Sequence, residues 1–338
     1  MPRKGGWRRV GRSGHFRYLG ARGTPITDEE QLERIRALVI PPAWKDVWIS
    51  PNAGAKLQAT GVDAAGRRQY LYHAAFRAQQ EQAKFDKLIL FAERLPTLRA
   101  AAAEDMEREE LDRRRVSAIA TRLINAGWFR VGSERYARES RTYGITTIRK
   151  GHVRVRGNRI AFDFRSKHRT VVRTTLVDPE LAAAMKELLA LPGGRHVFRY
   201  VYEESACNLT GSRLNDYVRE HMGEGFTAKD FRTWGGTLVA AIAFAEHGPP
   251  ASETEAKRVI PAVMRRVGQE LGNTPAVARS SYVSPAVIDQ YLDGRTLEDF
   301  RPRHLRVVGA RTLDLDPEER GLLSLLRSWK IRQARAAA

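Results

Sequence analysis

Between residues 116 and 177 the spacing of apolar side chains changes period, and that change restricts the folds open to the chain. Val116, Ile119, Ala120, Leu123 and Ile124 fall at i, i+3, i+4, i+7 and i+8, the stripe of an amphipathic helix that Asn125-Ala126-Gly127 ends. From Val153 the period drops to two. Val153 and Val155 alternate with polar residues, Gly157-Asn158 makes a turn, and Ile160, Phe162 and Phe164 alternate again. TVVRTTLV at 170–177 supplies a third strand. The pattern predicts a three-strand meander with Lys167 at the tip of its second turn.

Helices are expected around this meander. Tyr136 and its neighbours look helical, and Asp178-Pro179 starts a helix with proline at its first position. Thr227 to Asp230 resembles a cap, which places Arg232 in the first turn that follows. Ser252 with Glu255 caps a helix that ends at Leu271-Gly272. Thr274-Pro275 and Ser284-Pro285 start two short helices, with Tyr282 between them.

The N-terminal stretch reads differently. Residues 1–25 are basic and rich in glycine and aromatics. Thr27 with Glu30 reads as a capping box for a helix that Pro41-Pro42 stops. WKDVWIS, AKLQATG and RRQYLYH, between 44 and 73, are rich in strand and turn residues. A helical pattern then runs from Ala74 to about Leu95 and ends before Pro96. The expected fold class is α+β, with three parts. A small β-rich domain spans 1–90, and a hinge lies near 91–105. A larger, mostly helical domain at 91–310 carries the meander, and a basic tail spans 311–338.

Charge narrows the partners. The chain carries 58 Lys+Arg against 39 Asp+Glu, a net +19, which favours a polyanion: nucleic acid first, anionic membrane second. A hydrophobic content of 42% is too high for a disordered basic tail. The longest apolar stretch, LVAAIAFA at 238–245, is too short to span a bilayer, and the N-terminus lacks a signal peptide's apolar core. Cys207 is alone, the eight histidines show no metal spacing, and no glycine-rich phosphate loop is present. The expectation is a reduced, intracellular protein that uses no metal, cofactor or ATP.

Phosphodiester cleavage without Mg²⁺ needs arginines to hold the nonbridging oxygens, because their planar forks grip phosphate bidentately. It also needs an acid for the leaving group and a nucleophile. A tyrosine can attack covalently, but its ordinary pKa of about 10 requires nearby cations to help it ionise.

LGNTPAVARSSYVSP at 271–285 resembles the active-site segment of type IB DNA topoisomerases, in the bacterial, poxvirus-like branch. The resemblance makes Tyr282 the nucleophile and Asn273, nine residues earlier, a phosphate contact. KDFRTWGGT at 229–237 matches the family's second arginine motif with Arg232, and WFRVGSERY at 128–136 matches its first with Arg130 and Tyr136. FDFRSKHR at 162–169 is similar to the family hairpin whose lysine is the general acid, here Lys167. KLQATG at 56–61 and RRQYLYH at 67–73 resemble its major-groove reading surface, so Arg67, Gln69, Tyr70 and Tyr72, with Tyr136, are expected DNA contacts. The similarity covers about residues 15–300. Departures are Ser166 in place of glycine before the lysine, Ser284 in place of a frequent histidine, and Arg138 and Ser140 in place of acidic or amide residues.

The resemblance implies a monomer that clamps duplex DNA in the cytoplasm, on the nucleoid. It would relax supercoils of both signs through a 3′-phosphotyrosyl intermediate. Taken singly, each residue has a plainer reading: Tyr282 as a packing residue, the arginines as surface ion-pairers, Lys167 as a turn lysine, Asn273 as a helix end. His168, His152, Ser133, Ser280 and Ser281 keep such readings. Two alternatives stay open. A tyrosine recombinase shares the nucleophile logic, although Lys229 stands where its histidine would precede Arg232 by three. A non-enzymatic DNA-binding protein is the other.

Overall fold

In the computed structural model, which describes residues 5–300 and 313–337, the alternating N-terminal segments form one antiparallel sheet. Its strands are β1 (Trp7–Arg12), β2 (His15–Leu19), β3 (Lys45–Ile49), β4 (Leu57–Val62) and β5 (Arg68–Tyr72), in the order β2-β1-β3-β4-β5. Helix α1 (Glu29–Ala37) contributes Ile35 to a small core with Trp7, Val47, Ile49 and Ala59. The cap of α1 is Asp28, one residue after the expected Thr27: its carboxylate accepts from Gln31 N at 2.8 Å. A carboxylate at that position also favours the positive helix start, which a threonine hydroxyl does not.

The chain divides into two compact units, Met1–Lys84 and Phe85–Ala338. The expected domain end at 310/311 lies outside the described residues. The second unit is mostly helical. It takes in most of α2 (Ala74–Met106), then α3 (Arg113–Gly127), α4 (Glu134–Glu139) and the meander β6 (Val153–Arg156), β7 (Arg159–Arg165) and β8 (Val171–Val177). After α5 (Pro179–Ala190) comes a hairpin, β9 (Arg199–Tyr202) and β10 (Ser205–Asn208), followed by α6 (Gly211–Met222) and α7 (Asp230–His247). The last elements are α8 (Glu253–Leu271), α9 (Pro275–Ser281), α10 (Pro285–Leu292) and α11 (Pro317–Ala337). The α+β architecture is therefore the expected one, a small sheet domain plus a larger, mostly helical one. Among the described residues no helix is long and apolar enough to cross a membrane.

Two elements differ from expectation. Helix α2 does not stop before Pro96 but runs through it to Met106, so residues 91–105 are helical rather than a hinge. A proline inside a helix costs about 3 kcal/mol. Here Phe91, Ala92, Leu95, Leu98 and Ala102 are buried on both sides of it, and their packing outweighs the lost hydrogen bond. The β9–β10 hairpin was not expected; it turns on Glu203 and Glu204, both at positive φ.

Two further features bear on the site. In the meander, Phe162 pairs with Val153 and Thr174, and Phe164 with Val172. Phe162 also meets the Phe129 ring at 4.9 Å, which fixes the hairpin against the end of α3. Helix α11 buries Leu322, Leu323, Leu325 and Leu326. Its Glu319 is buried and bonds Arg99 of α2 at 2.7 Å and Trp234 Nε1 of α7 at 3.2 Å. The end of the chain is thus tied to the helix that carries Arg232.

Candidate active site

Arg130 follows α3 by way of Trp128, a left-handed residue that ends the helix. The loop is pinned by Ile145 N and Thr146 N, which donate to Arg130 O and Val131 O, each at 2.8 Å. Gly144 has to be glycine at this crossing, because a Cβ there would lie 2.5 Å from Arg130 O. The Arg130 side chain donates to Gly272 O at 3.1 Å and to Asn273 Oδ1 at 2.5 Å.

Arg232 sits in the first turn of α7, on a base built by its motif neighbours. Asp230 accepts from Thr227 N at 2.8 Å and pairs with Lys87 at 2.7 Å. Phe231 and Trp234 pack on Phe91, with ring centroids 5.0 and 5.9 Å away. Arg232 is 5% exposed and donates to Trp128 O at 2.5 Å and Leu271 O at 2.6 Å. Its Nε is buried with no partner. A buried N–H without an acceptor costs about 1–3 kcal/mol, so the site is built to receive an acceptor from outside.

Helix α8 ends on Gly272 at φ +60, and Asn273 follows with its N–H on Gly268 O at 2.7 Å. Thr274 caps α9, and Tyr282 closes that helix, its N–H on Ala278 O at 3.0 Å. Thr237 Oγ1 lies 3.1 Å from Tyr282 O and accepts from Ser284 N at 3.1 Å, so α7 holds the backbone on both sides of the tyrosine. The Arg232 guanidinium lies over the Tyr282 ring at 5.1 Å.

These elements enclose an open cleft of about 900 Å³ lined by Arg130, Lys167, Arg232, Asn273 and Tyr282. Lys167 is exposed in the tight turn between β7 and β8, where Ser166 N donates to Thr170 O at 2.7 Å. Ser166 itself is extended, at φ −99, and needs no glycine. The left-handed residues of the turn are His168 and Arg169, at φ 60 and 61. Lys229, Arg265, Gln269 and His168 also line the cleft and were not expected there. Their i, i+4 spacing places Arg265 and Gln269 on one face of α8. Nothing in the local sequence separates their chemistry from that of other surface residues.

The cleft lining holds five Lys and Arg side chains and no carboxylate. Among the described residues, no group of His, Cys, Asp and Glu is suited to hold a metal ion. Burial, with help from the Arg130 charge, lowers Arg232 to about 10, which still leaves it cationic at neutral pH. Burial alone would push the Tyr282 hydroxyl up, but the charges and N–H groups of Arg232 and then Arg130 outweigh it and hold the pKa below its ordinary value. Ultraviolet difference titration of the wild type against Tyr282→Phe should show Tyr282 ionising below the usual pH of about 10. Arg232→Ala should move that midpoint upward. A wild-type midpoint at or above that of free tyrosine would contradict this electrostatic account.

The N-terminal candidates do not share one surface. On the edge strand β5, Tyr70 and Tyr72 are 50% and 43% exposed and stack with centroids 6.3 Å apart. Gln69 lies on the other face, its Nε2 on Asp63 Oδ2 at 2.8 Å. Arg67 pairs with the same carboxylate at 2.7 Å, and hydrogen bonds from the Arg67 side chain and backbone hold Asp63 down at about 2. Tyr136, on α4, is 39% exposed and does not line the cleft.

Comparison with known proteins bears on this arrangement. Residues 73–295 match the family model described as eukaryotic DNA topoisomerase I, catalytic core. Residues 15–63 match bacterial DNA topoisomerase IB, N-terminal domain. The chain is 32% identical over 270 residues to DNA topoisomerase 1B of Acanthamoeba polyphaga mimivirus, covering 78% of this chain and 80% of that protein. It is 20% identical over 281 residues to DNA topoisomerase 1B of vaccinia virus (strain Copenhagen), covering 81% and 86%. Similarity to DNA topoisomerase 1 beta of Arabidopsis thaliana is 29% over half of this chain, which spans only 18% of the plant protein.

Proposed function

The chain belongs to the type IB DNA topoisomerases, and from that membership we propose that it relaxes supercoiled duplex DNA by cutting and rejoining one strand without ATP. The observation that carries this reading is the cleft itself. A tyrosine with a lowered pKa lies beneath a buried arginine whose Nε has no acceptor, and Arg130 and Asn273 adjoin it. Tyr282 attacks a backbone phosphorus, its phenolic proton leaving to solvent, and displaces a 5′-oxygen. A 3′-phosphotyrosyl bond replaces the phosphodiester. Arg130, Arg232 and Asn273 hold the nonbridging oxygens, where charge grows in the pentacoordinate transition state. Lys167 protonates the departing 5′-oxygen. The phosphotyrosine keeps the energy of the broken linkage, so the 5′-hydroxyl can attack back after torsion has turned the free end.

Within the family, the match of residues 15–63 to a bacterial N-terminal domain supports the bacterial, poxvirus-like branch, as does Asn273. Duplex DNA is the partner, met by a monomeric clamp acting on the nucleoid in the cytoplasm. The net charge of +19 supports that partner. Exposed Tyr70, Tyr72 and Tyr136, with Arg67 and Gln69 beside Asp63, are the further contacts.

The test is relaxation of positively and negatively supercoiled plasmid in buffer without nucleotide, stopped with denaturant. Both signs should relax, and the denaturant should trap protein joined to a 3′ DNA end. Relaxation that leaves no covalent adduct, or joining at a 5′ end, would overturn the mechanism.

A further inference from the structure

The cleft holds one guanidinium that the mechanism above does not use. Arg265 lies on α8 one turn before Gln269, and both line the same cleft as Gly268, Gly272 and Asn273. These positions follow i, i+3, i+4 and i+7 and then the helix end, so they form one row that leads to Asn273. Gly268 keeps the middle of the row bare, because a Cβ there would stand 2.8 Å from Asn273 O.

The neighbouring Arg266 shows what an ordinary surface arginine of α8 does: it forms an ion pair with Glu246 of α7, with one contact at 3.1 Å. Arg265 is exposed and has no carboxylate partner among the described residues. Nor does any Asp or Glu line the cleft it faces. A cation held near other cations with no counter-charge raises the local field and concentrates an anion there.

We propose that Arg265 is a positioning residue that grips a backbone phosphate of the bound DNA away from the scissile one, with the Gln269 amide bridging the interval. The proposal rests on the reading that duplex DNA occupies this cleft. Arg265 lies seven positions before Gly272. At about 1.5 Å per residue this is on the order of 10 Å along the helix. DNA advances about 3.4 Å along its axis per nucleotide of one strand, so the gripped phosphate lies within a few nucleotides of the scissile one. Arg265 touches no reacting atom. Its contribution is to hold the strand in register while Tyr282 forms and breaks its bond.

The experiment measures noncovalent binding of a short duplex by Tyr282→Phe protein over a salt series, so that chemistry does not enter. Each phosphate contact contributes about 0.9 to the slope of log affinity against log salt. Adding Arg265→Ala should lower the slope by about that amount, and Arg265→Lys should largely restore it. Lys186→Ala removes the same charge from an exposed position on α5 and should leave the slope unchanged. A scan of single neutral methylphosphonates should find one phosphate besides the scissile one whose neutralisation weakens the parent but not Arg265→Ala.

An unchanged slope and an unchanged scan for Arg265→Ala would overturn the proposal, as would an equal loss in Lys186→Ala. Either result, with wild-type protein still forming its covalent adduct, leaves the topoisomerase reading standing. If the parent shows no salt-dependent binding to duplex DNA, both fall together.

Discussion

Tyr282→Phe should lose relaxation activity by on the order of 10⁴-fold or more, since removing a nucleophile leaves only the binding and charge terms of catalysis. The expectation has a structural reason to be clean. The backbone of Tyr282 is held by Ala278 O and by Thr237, and its ring packs beneath Arg232, contacts that phenylalanine keeps. Only the hydroxyl goes, so melting temperature and noncovalent DNA affinity should stay near the wild-type values. Covalent adduct should vanish along with relaxation. A variant that still relaxes plasmid at a substantial fraction of the wild-type rate would show that some other group attacks the phosphorus. The exposed Ser280 and the half-buried Ser281 immediately precede Tyr282, but no histidine adjoins them in the chain.

Much of the fold was legible because it rests on periodicity and local caps. The stripe from Val116 to Ile124 became α3, and the change to period two became the β6–β7–β8 meander. Asp178, Ser252 and Thr274 cap helices as their sequences suggest. What local sequence does not carry is close approach between distant segments. Gly235 and Gly236 in the middle of α7 look like helix breakers, at about 1 kcal/mol each. In the fold, a Cβ on Gly235 would stand 2.5 Å from the Trp128 ring, and one on Gly236 would stand 2.8 Å from Tyr282 O. The two glycines let α7 lie against the Arg130 loop and the tyrosine at once.

The β9–β10 turn was hidden for a related reason. Glu203 and Glu204 adopt positive φ without the asparagine or glycine that announces such turns. The five motif residues were legible as types and reach one cleft, but their burial was not. That Arg232 is nearly enclosed while Lys167 is exposed depends on which helices close over each. Arg265, one of 58 Lys and Arg residues, carries no local mark at all.

That difference in exposure separates the two kinds of cation and makes a second large effect testable. Lys167→Ala should slow cleavage by about 10²–10⁴-fold, the usual range for losing a general acid. The lysine is at the end of an exposed turn set by Ser166 and Thr170 backbone bonds, so the variant should fold as the wild type does. If the amine donates a proton to the departing 5′-oxygen, a substrate with sulfur at that bridging position removes the need for it, because a thiolate leaves readily without protonation. Cleavage of the sulfur substrate by Lys167→Ala should then approach the wild-type rate on the same substrate. Arg232→Ala should behave differently. Its guanidinium is buried against Trp128 O and Leu271 O, and its proposed role is to hold the nonbridging oxygens, whose charge the leaving atom does not relieve. It should stay slow on both substrates, and its Tyr282 should ionise at higher pH. Rescue of both variants by sulfur would assign the proton to a chain running through Arg232. Rescue of neither would remove Lys167 from proton transfer and leave it as one more phosphate cation.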